Sequence, residues 1–138
     1  MIVVDTNVIA SLVLPTSHRT LAAMSLLDSD RDWAAPLLWR SELCNILATG
    51  VRNGWFAAGQ ASEALATAEE LMEGNDYAVP AAEALRAAIA SGCTAYDAEF
   101  VVLARDLGVK LVTLDKAILR AFPAIAISLD SFGASSTL

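Results

Sequence analysis

Ile2-Val3-Val4-Asp5-Thr6-Asn7-Val8-Ile9 is the stretch that decides the fold. Three β-branched apolar residues in a row, without polar alternation, predict a short strand buried on both faces, as inside a parallel sheet. From Asn7 to Leu14 the chain is again mostly apolar, which predicts a short helix stopped by Pro15. Asp5 interrupts this run at the junction of strand and helix. Capping the helix would explain it. So would a functional carboxylate at a strand end, and the two roles are compatible.

Moving outward, the same alternation recurs. His18–Leu27 has helical spacing. Pro36 suits a first helical position and opens a helix to about Ala48, with Gly50 beyond it. Gln60–Glu73 reads as an alanine-rich amphipathic helix ended by Gly74, and Tyr77–Val79 as a strand. Helices follow over Pro80–Ser91, ended by Gly92, and Tyr96–Leu107, ended by Gly108. Val109–Leu114 reads as a strand, Lys116–Ala121 as a short helix and Ala124–Leu129 as a last strand. Strands alternating with helices imply crossover connections and a parallel sheet covered on both faces. The functional crevice of such a sheet lies at the carboxyl ends of its strands.

A chain of 138 residues without linker or repeat is expected to form one domain over residues 1–138. No apolar run reaches the ~18 residues of a membrane span, and the first residues lack a basic leader. Cys44 and Cys93 are too few for a disulfide framework and read as small buried hydrophobes, so a reducing cytoplasm is the default. The net charge of −7 argues against a nucleic-acid binder with a basic face. Either local cations or a metal would have to offset it. His18 reads as a surface helix start. Trp39 reads as packing, while Trp33 and Trp55 are open between packing and base stacking.

Most of the 16 acids have solvated positions, but four do not. Glu42 falls inside the apolar arc of its helix. At roughly 100° per residue from Leu38, it lies near 40°, with Ile46 near 80°, Trp39 near 100° and Leu43 near 140°. Such a carboxylate should be neutral, paired or metal-bound, and an arginine partner is the structural alternative. Asp97 is flanked on its wheel by Phe100, Val101 and Ala104, while Glu99 and Asp106 fall roughly 200° and 180° away. Thr94-Ala95-Tyr96-Asp97 also fits a capping box. Asp115 follows Val112-Thr113-Leu114 and would cap Lys116–Ala121 or serve the crevice. Thr113, on the same side of its strand as Asp115, is placed to orient a carboxylate or a bound water.

Two acids at strand ends and two at helix starts would repel one another, and a divalent cation relieves such repulsion. Their folded-state pKa values should be raised by the like charges. All-oxygen ligands suit Mg²⁺ or Mn²⁺, and such sites act on phosphates.

Four motifs in order resemble the PIN-domain family, in particular the toxin ribonucleases of VapBC toxin–antitoxin pairs. They are Val4-Asp5-Thr6-Asn7-Val8-Ile9, Pro36-Leu37-Leu38 through Glu42, Asn45 and Leu47, then Thr94 to Phe100 with Leu103-Ala104, and Leu111 to Lys116. The resemblance implies a three-layer α/β/α sandwich and Mg²⁺- or Mn²⁺-dependent endoribonuclease activity on RNA. Asp5 and Asp97 would be the principal metal ligands, with Glu42 and Asp115 completing the pocket directly or through water. Thr6, Asn7 and Thr113 would support them. The resemblance also implies a cognate antitoxin placing an arginine near Asp5 and Asp97. High apolar content makes a homodimer through exposed helix surface an expectation, and the cysteines and the lack of a long apolar run give a cytoplasmic location without membrane contact. The resemblance fades over residues 57–90. Arg19, Arg40, Arg52, Lys116 and Arg120 could contact phosphates, though each taken singly reads first as an ordinary solvated cation.

Two rival functions use the same pattern. A receiver-like phosphoacceptor also sets acids at strand ends, but wants two adjacent acids where Asp5 stands alone. A non-catalytic RNA- or partner-binding module on the same fold has no need of four converging acids.

Overall fold

The computed structural model describes residues 1–134. Residues 135–138 of the expected domain lie outside that range. In chain order the elements are β1 (Ile2–Val4), α1 (Thr6–Val13), α2 (Thr20–Ser29), β2 (Trp33–Pro36), α3 (Trp39–Arg52), α4 (Ala58–Leu71) and β3 (Asp76–Tyr77). There follow α5 (Ala81–Ser91), α6 (Ala95–Leu107), β4 (Leu111–Thr113), α7 (Lys116–Ala121), β5 (Ala126–Ser128) and α8 (Asp130–Ala134). The strands form one parallel sheet in the order β3-β2-β1-β4-β5.

That order fixes the layers. The chain steps in one direction from β1 through β2 to β3, then returns to the other side of β1 for β4 and β5. Right-handed crossovers place α1–α4 on one face and α5–α7 on the other. The contacts agree: α1 packs on α2, α3 and α4, and α5 packs on α6. The result is the expected three-layer α/β/α sandwich. Trp33, Trp39 and Phe100 are fully buried and are the largest side chains of its core. No single helix among the described residues is long and apolar enough to cross a membrane.

The region after Ser29 corrects the sequence reading. Pro36 does not open a helix but ends β2, a strand whose four residues are all buried. Alanine is a poor strand former, but position between two neighbours overrides propensity here. The ladder tolerates the proline because Ala35 and Leu37 donate to Asn75 and Tyr77 on the β3 side. By register Pro36 lies opposite Asp5, past the end of β1. Its missing N–H therefore forfeits no ladder bond. Gly92 and Gly108 end α5 and α6 as expected, with left-handed φ of 79° and 68°.

Gly50, expected beyond the helix, lies inside α3. A Cβ there would stand 2.2 Å from Phe56 Cζ. The absent side chain is the space the buried Phe56 ring occupies. Gly50→Ala is therefore expected to lose about 1–3 kcal/mol by overpacking, despite better helix propensity of roughly 1 kcal/mol. Urea melts check this. A variant more stable than the native chain would mean that propensity outweighs the ring's displacement.

Candidate active site at the switch between β1 and β4

β1 and β4 are neighbours whose chains leave in opposite directions. Such a switch point opens a crevice beyond the strand ends. Asp5 follows β1 directly, and Asp115 follows β4 by one residue. Both cap helices, as the structural alternatives required. Asp5 Oδ1 accepts the Thr6 N–H at 2.8 Å, and Asp115 Oδ1 accepts the N–H groups of Ala117 and Ile118 at 2.8 and 3.1 Å. Both also line a cleft of about 520 Å³. Capping and a place in the cleft coexist.

Three neutral side chains tie these acids together. The Thr113 hydroxyl donates to Asp5 Oδ2 at 2.6 Å and accepts the Asp115 N–H at 3.0 Å. Its single proton is thereby committed to Asp5, so it steadies the Asp5 carboxylate and the Asp115 backbone. The Asn7 amide approaches Asp5 Oδ2 at 3.4 Å and accepts the Leu114 N–H at 3.3 Å. Thr6 Oγ1 donates to Glu42 Oε1 at 2.7 Å, linking α1 to α3.

Glu42 and Asp97 complete the cleft lining, each only half-buried. The buried stripe of α3 runs through Trp39, Leu43, Leu47 and Gly50. Glu42 sits at its border rather than within it. Among the described residues no arginine pairs with it, and Thr6 takes that place. Thr94 caps α6 by accepting the Asp97 N–H at 3.0 Å, and its side chain also favours the ionised Asp97 carboxylate.

Burial and like charge act in the same direction here. Asp5 is only 6% exposed, and its pKa is pushed up to about 6. Burial is the largest cause, and the hydrogen bonds from Thr113 and Thr6 only partly offset it. Asp97 and Glu42 add repulsion. Glu42 and Asp97 are also raised, again first by burial, with charge repulsion from Asp97 and Asp115 respectively. The direction is the one expected, but burial rather than like charge is the leading cause. Glu99 departs from the wheel reading. It is half-buried and raised by burial and by Glu42, so it is no far-face residue.

The cations do not come to the cleft. Arg19 pairs with Asp130 at 3.0 Å. Arg40 pairs with Glu69 at 3.1 Å and Asp76 at 3.3 Å. Arg52, Lys116 and Arg120 are exposed, and none of the described lining residues is Lys or Arg.

The sequence profile of the PIN domain matches residues 2–123. The chain belongs to the PIN-domain family. This PIN domain is 32% identical over 127 residues to Ribonuclease VapC3 of Pyrobaculum aerophilum, covering 90% of the chain and 96% of that relative. Its fold superposes on the crystal structure of PAE2754 from Pyrobaculum aerophilum with a TM-score of 0.76 at 24% identity, over 99% of this chain and 97% of that one. FitAcB from Neisseria gonorrhoeae superposes with a TM-score of 0.67 at 19% identity, over 94% and 98%. At these identities the two structures speak for the fold alone.

Three polar residues of the PIN-domain cleft were given no site role by the sequence reading: Ser41, and Asn45 and Tyr96, which stand in the second and third motifs. Ser41, Glu42, Asn45 and Ile46 form one stripe of α3 at spacings of three and four that continues the N-cap Leu38, and all line the cleft. That periodicity was available around Glu42 and would have found them. Tyr96 carries no such signal, because only its position beside Asp97 matters. Trp33 is fully buried and excluded from base contact, whereas Trp55 is exposed. Cys44 is exposed rather than buried.

The donor set fits a hard divalent cation. All four acids offer oxygen, and Asp5 is a buried carboxyl with no cationic partner among the described residues. No three acidic, His or Cys side chains among those residues stand close enough to ligate one ion directly.

Proposed function

We propose that this chain is a single-domain, Mg²⁺- or Mn²⁺-dependent endoribonuclease and the toxin of a toxin–antitoxin pair. The observation that carries the reading is the convergence of Asp5, Glu42, Asp97 and Asp115 on one cleft with no basic lining residue described. Kinship with a protein named Ribonuclease VapC3 supports the same reading.

In this reading Asp5 and Asp97 hold the cation, with Glu42 and Asp115 completing the set directly or through water. When bound, the cation supplies charge neutralisation at the phosphodiester and polarisation of the attacking water. Thr113 keeps Asp5 oriented, and its donated proton favours the ionised carboxylate. Thr6 holds Glu42 toward the cleft. Asn7 braces the loop before Asp115 through Leu114.

The partners belong to the same proposal. An antitoxin arginine set between Asp5 and Asp97 would replace the cation's charge with a bidentate fork. A homodimer would cover exposed apolar helix surface such as Leu85 and Ile89 of α5. The setting is the cytoplasm, with no membrane contact.

Cleavage of total RNA by the purified chain in Mg²⁺ or Mn²⁺, with EDTA as control and sequencing of the new ends, tests the activity. Growth arrest on expression without a partner tests the toxin role. RNA left intact in both metals would overturn the nuclease. Harmless expression of an active enzyme would overturn only the toxin.

A further inference from the structure

A cleft lined by four acids is a poor place to bind a polyanion through its phosphates. Affinity for nucleic acid ordinarily rests on Lys and Arg neutralising phosphates, and none of the described lining residues is basic. The rest of the lining has a different character. Tyr96 lies in the first turn of α6 beside Asp97, and it is 66% exposed although it lines the cleft. Leu38 and Ile46 add apolar surface from α3. Ser41 and Asn45 offer a hydroxyl and an amide with no partner among the described residues. A flat aromatic face, aliphatic surface and free neutral hydrogen-bonding groups do not suit a phosphate. They suit a nucleobase, which has a π-face to stack and an edge to hydrogen-bond.

We propose that Tyr96, with Leu38 and Ile46 and the polar groups of Ser41 and Asn45, forms a nucleobase subsite that holds an unpaired base beside the carboxylates. The proposal rests on the nuclease reading and deepens it. Substrate is gripped by a base next to the scissile bond, while the acids and their cation handle the phosphate. Tyr96 acts here as a positioning and specificity residue, not as a catalytic one.

Mononucleotides test this directly, because they have no phosphodiester bond to lose and Mg²⁺ can be present. Adenosine 5′-monophosphate and ribose 5-phosphate are titrated against the native chain, Tyr96→Ala and Tyr96→Phe, with binding followed by NMR. The chain has only two tyrosines, so the Tyr96 ring signals are assigned by their loss in Tyr96→Phe. The nucleotide is expected to bind the native chain roughly tenfold more tightly than the sugar phosphate, within the range one stacked base supplies. It should shift the Tyr96 ring signals upfield and leave Tyr77 alone. Tyr96→Phe should keep the tenfold preference, and Tyr96→Ala should lose it. Equal affinity for the two ligands, or a preference that survives in Tyr96→Ala, overturns the subsite. RNA cleavage by the native chain is scored separately. Cleavage without a base preference sinks the subsite and spares the nuclease; a base preference without cleavage does the reverse.

Discussion

Asp5→Asn and Asp97→Asn are each expected to lower Mg²⁺-dependent RNA cleavage by more than about a hundred-fold, beyond the roughly 10–100-fold that loss of an outer partner of a metal ligand costs. The amide keeps the shape of the side chain but removes the charge that would hold a cation. Circular dichroism should stay native-like, because neither side chain fills the hydrophobic core. Asp106→Asn is the internal control, since Asp106 is exposed on α6 and should be silent. Glu99 cannot serve as a control, because it is half-buried and feels the charge of Glu42. Full activity in either amide variant would sink the assignment of these two carboxylates.

Asp5→Asn is also expected to raise the melting temperature of the metal-free protein at neutral pH. Asp5 titrates at about 6 in the fold against an ordinary 3.8, so the folded chain binds that proton more tightly than the unfolded one. Its ionisation therefore costs stability in full above about pH 6. The cost fades as pH falls from 6 to 3.8 and is absent below 3.8. At about 1.4 kcal/mol per pH unit the neutral-pH cost is about 3 kcal/mol. Rearranging the bond with Thr113 returns about 1 kcal/mol of that. The remainder, about 2 kcal/mol, should appear as a gain of about 5–8 °C. Asp30 titrates the other way, lowered by the Asp32 N–H and the chain's amino terminus. Comparing variant with native chain cancels its contribution.

Mg²⁺ should raise the native melting temperature by binding only the folded state, by about 2.7 kcal/mol at a hundred times its Kd. Asp5→Asn should lose most of that shift. Melts of both proteins in EDTA and in excess Mg²⁺, at pH 7.5 and at pH 4, make the measurement. An Asp5→Asn protein less stable than native in EDTA would mean that the cap on α1 outweighs the charge. A native melt indifferent to Mg²⁺ and to Mn²⁺ would falsify the cation site.

The order of strands and helices was legible because local chemistry writes it. Ile2–Val4 has the short, wholly apolar pattern of a strand buried on both faces, and Gly92 and Gly108 follow helical runs where a left-handed cap is called for. Asp5 and Asp115 could be seen as strand-end acids because their neighbours are apolar. What the local pattern could not carry was β2, since Trp33-Ala34-Ala35-Pro36 has little strand propensity and becomes a strand only by lying between β1 and β3.

The site divides along the same line. Sequence by itself determined which four carboxylates stand in or beside apolar runs and so became candidates, because a charge in an apolar pattern is visible wherever the chain goes. Only the tertiary structure decided that they share one cleft. It also decided that Thr113 gives its proton to Asp5, 108 residues away in sequence, and Thr6 gives its to Glu42. Glu99 and Tyr96 likewise took their positions from it. A helical wheel registers only the helix's own faces. Burial, repulsion and exposure depend on which other elements stand opposite, and the sheet order alone sets that.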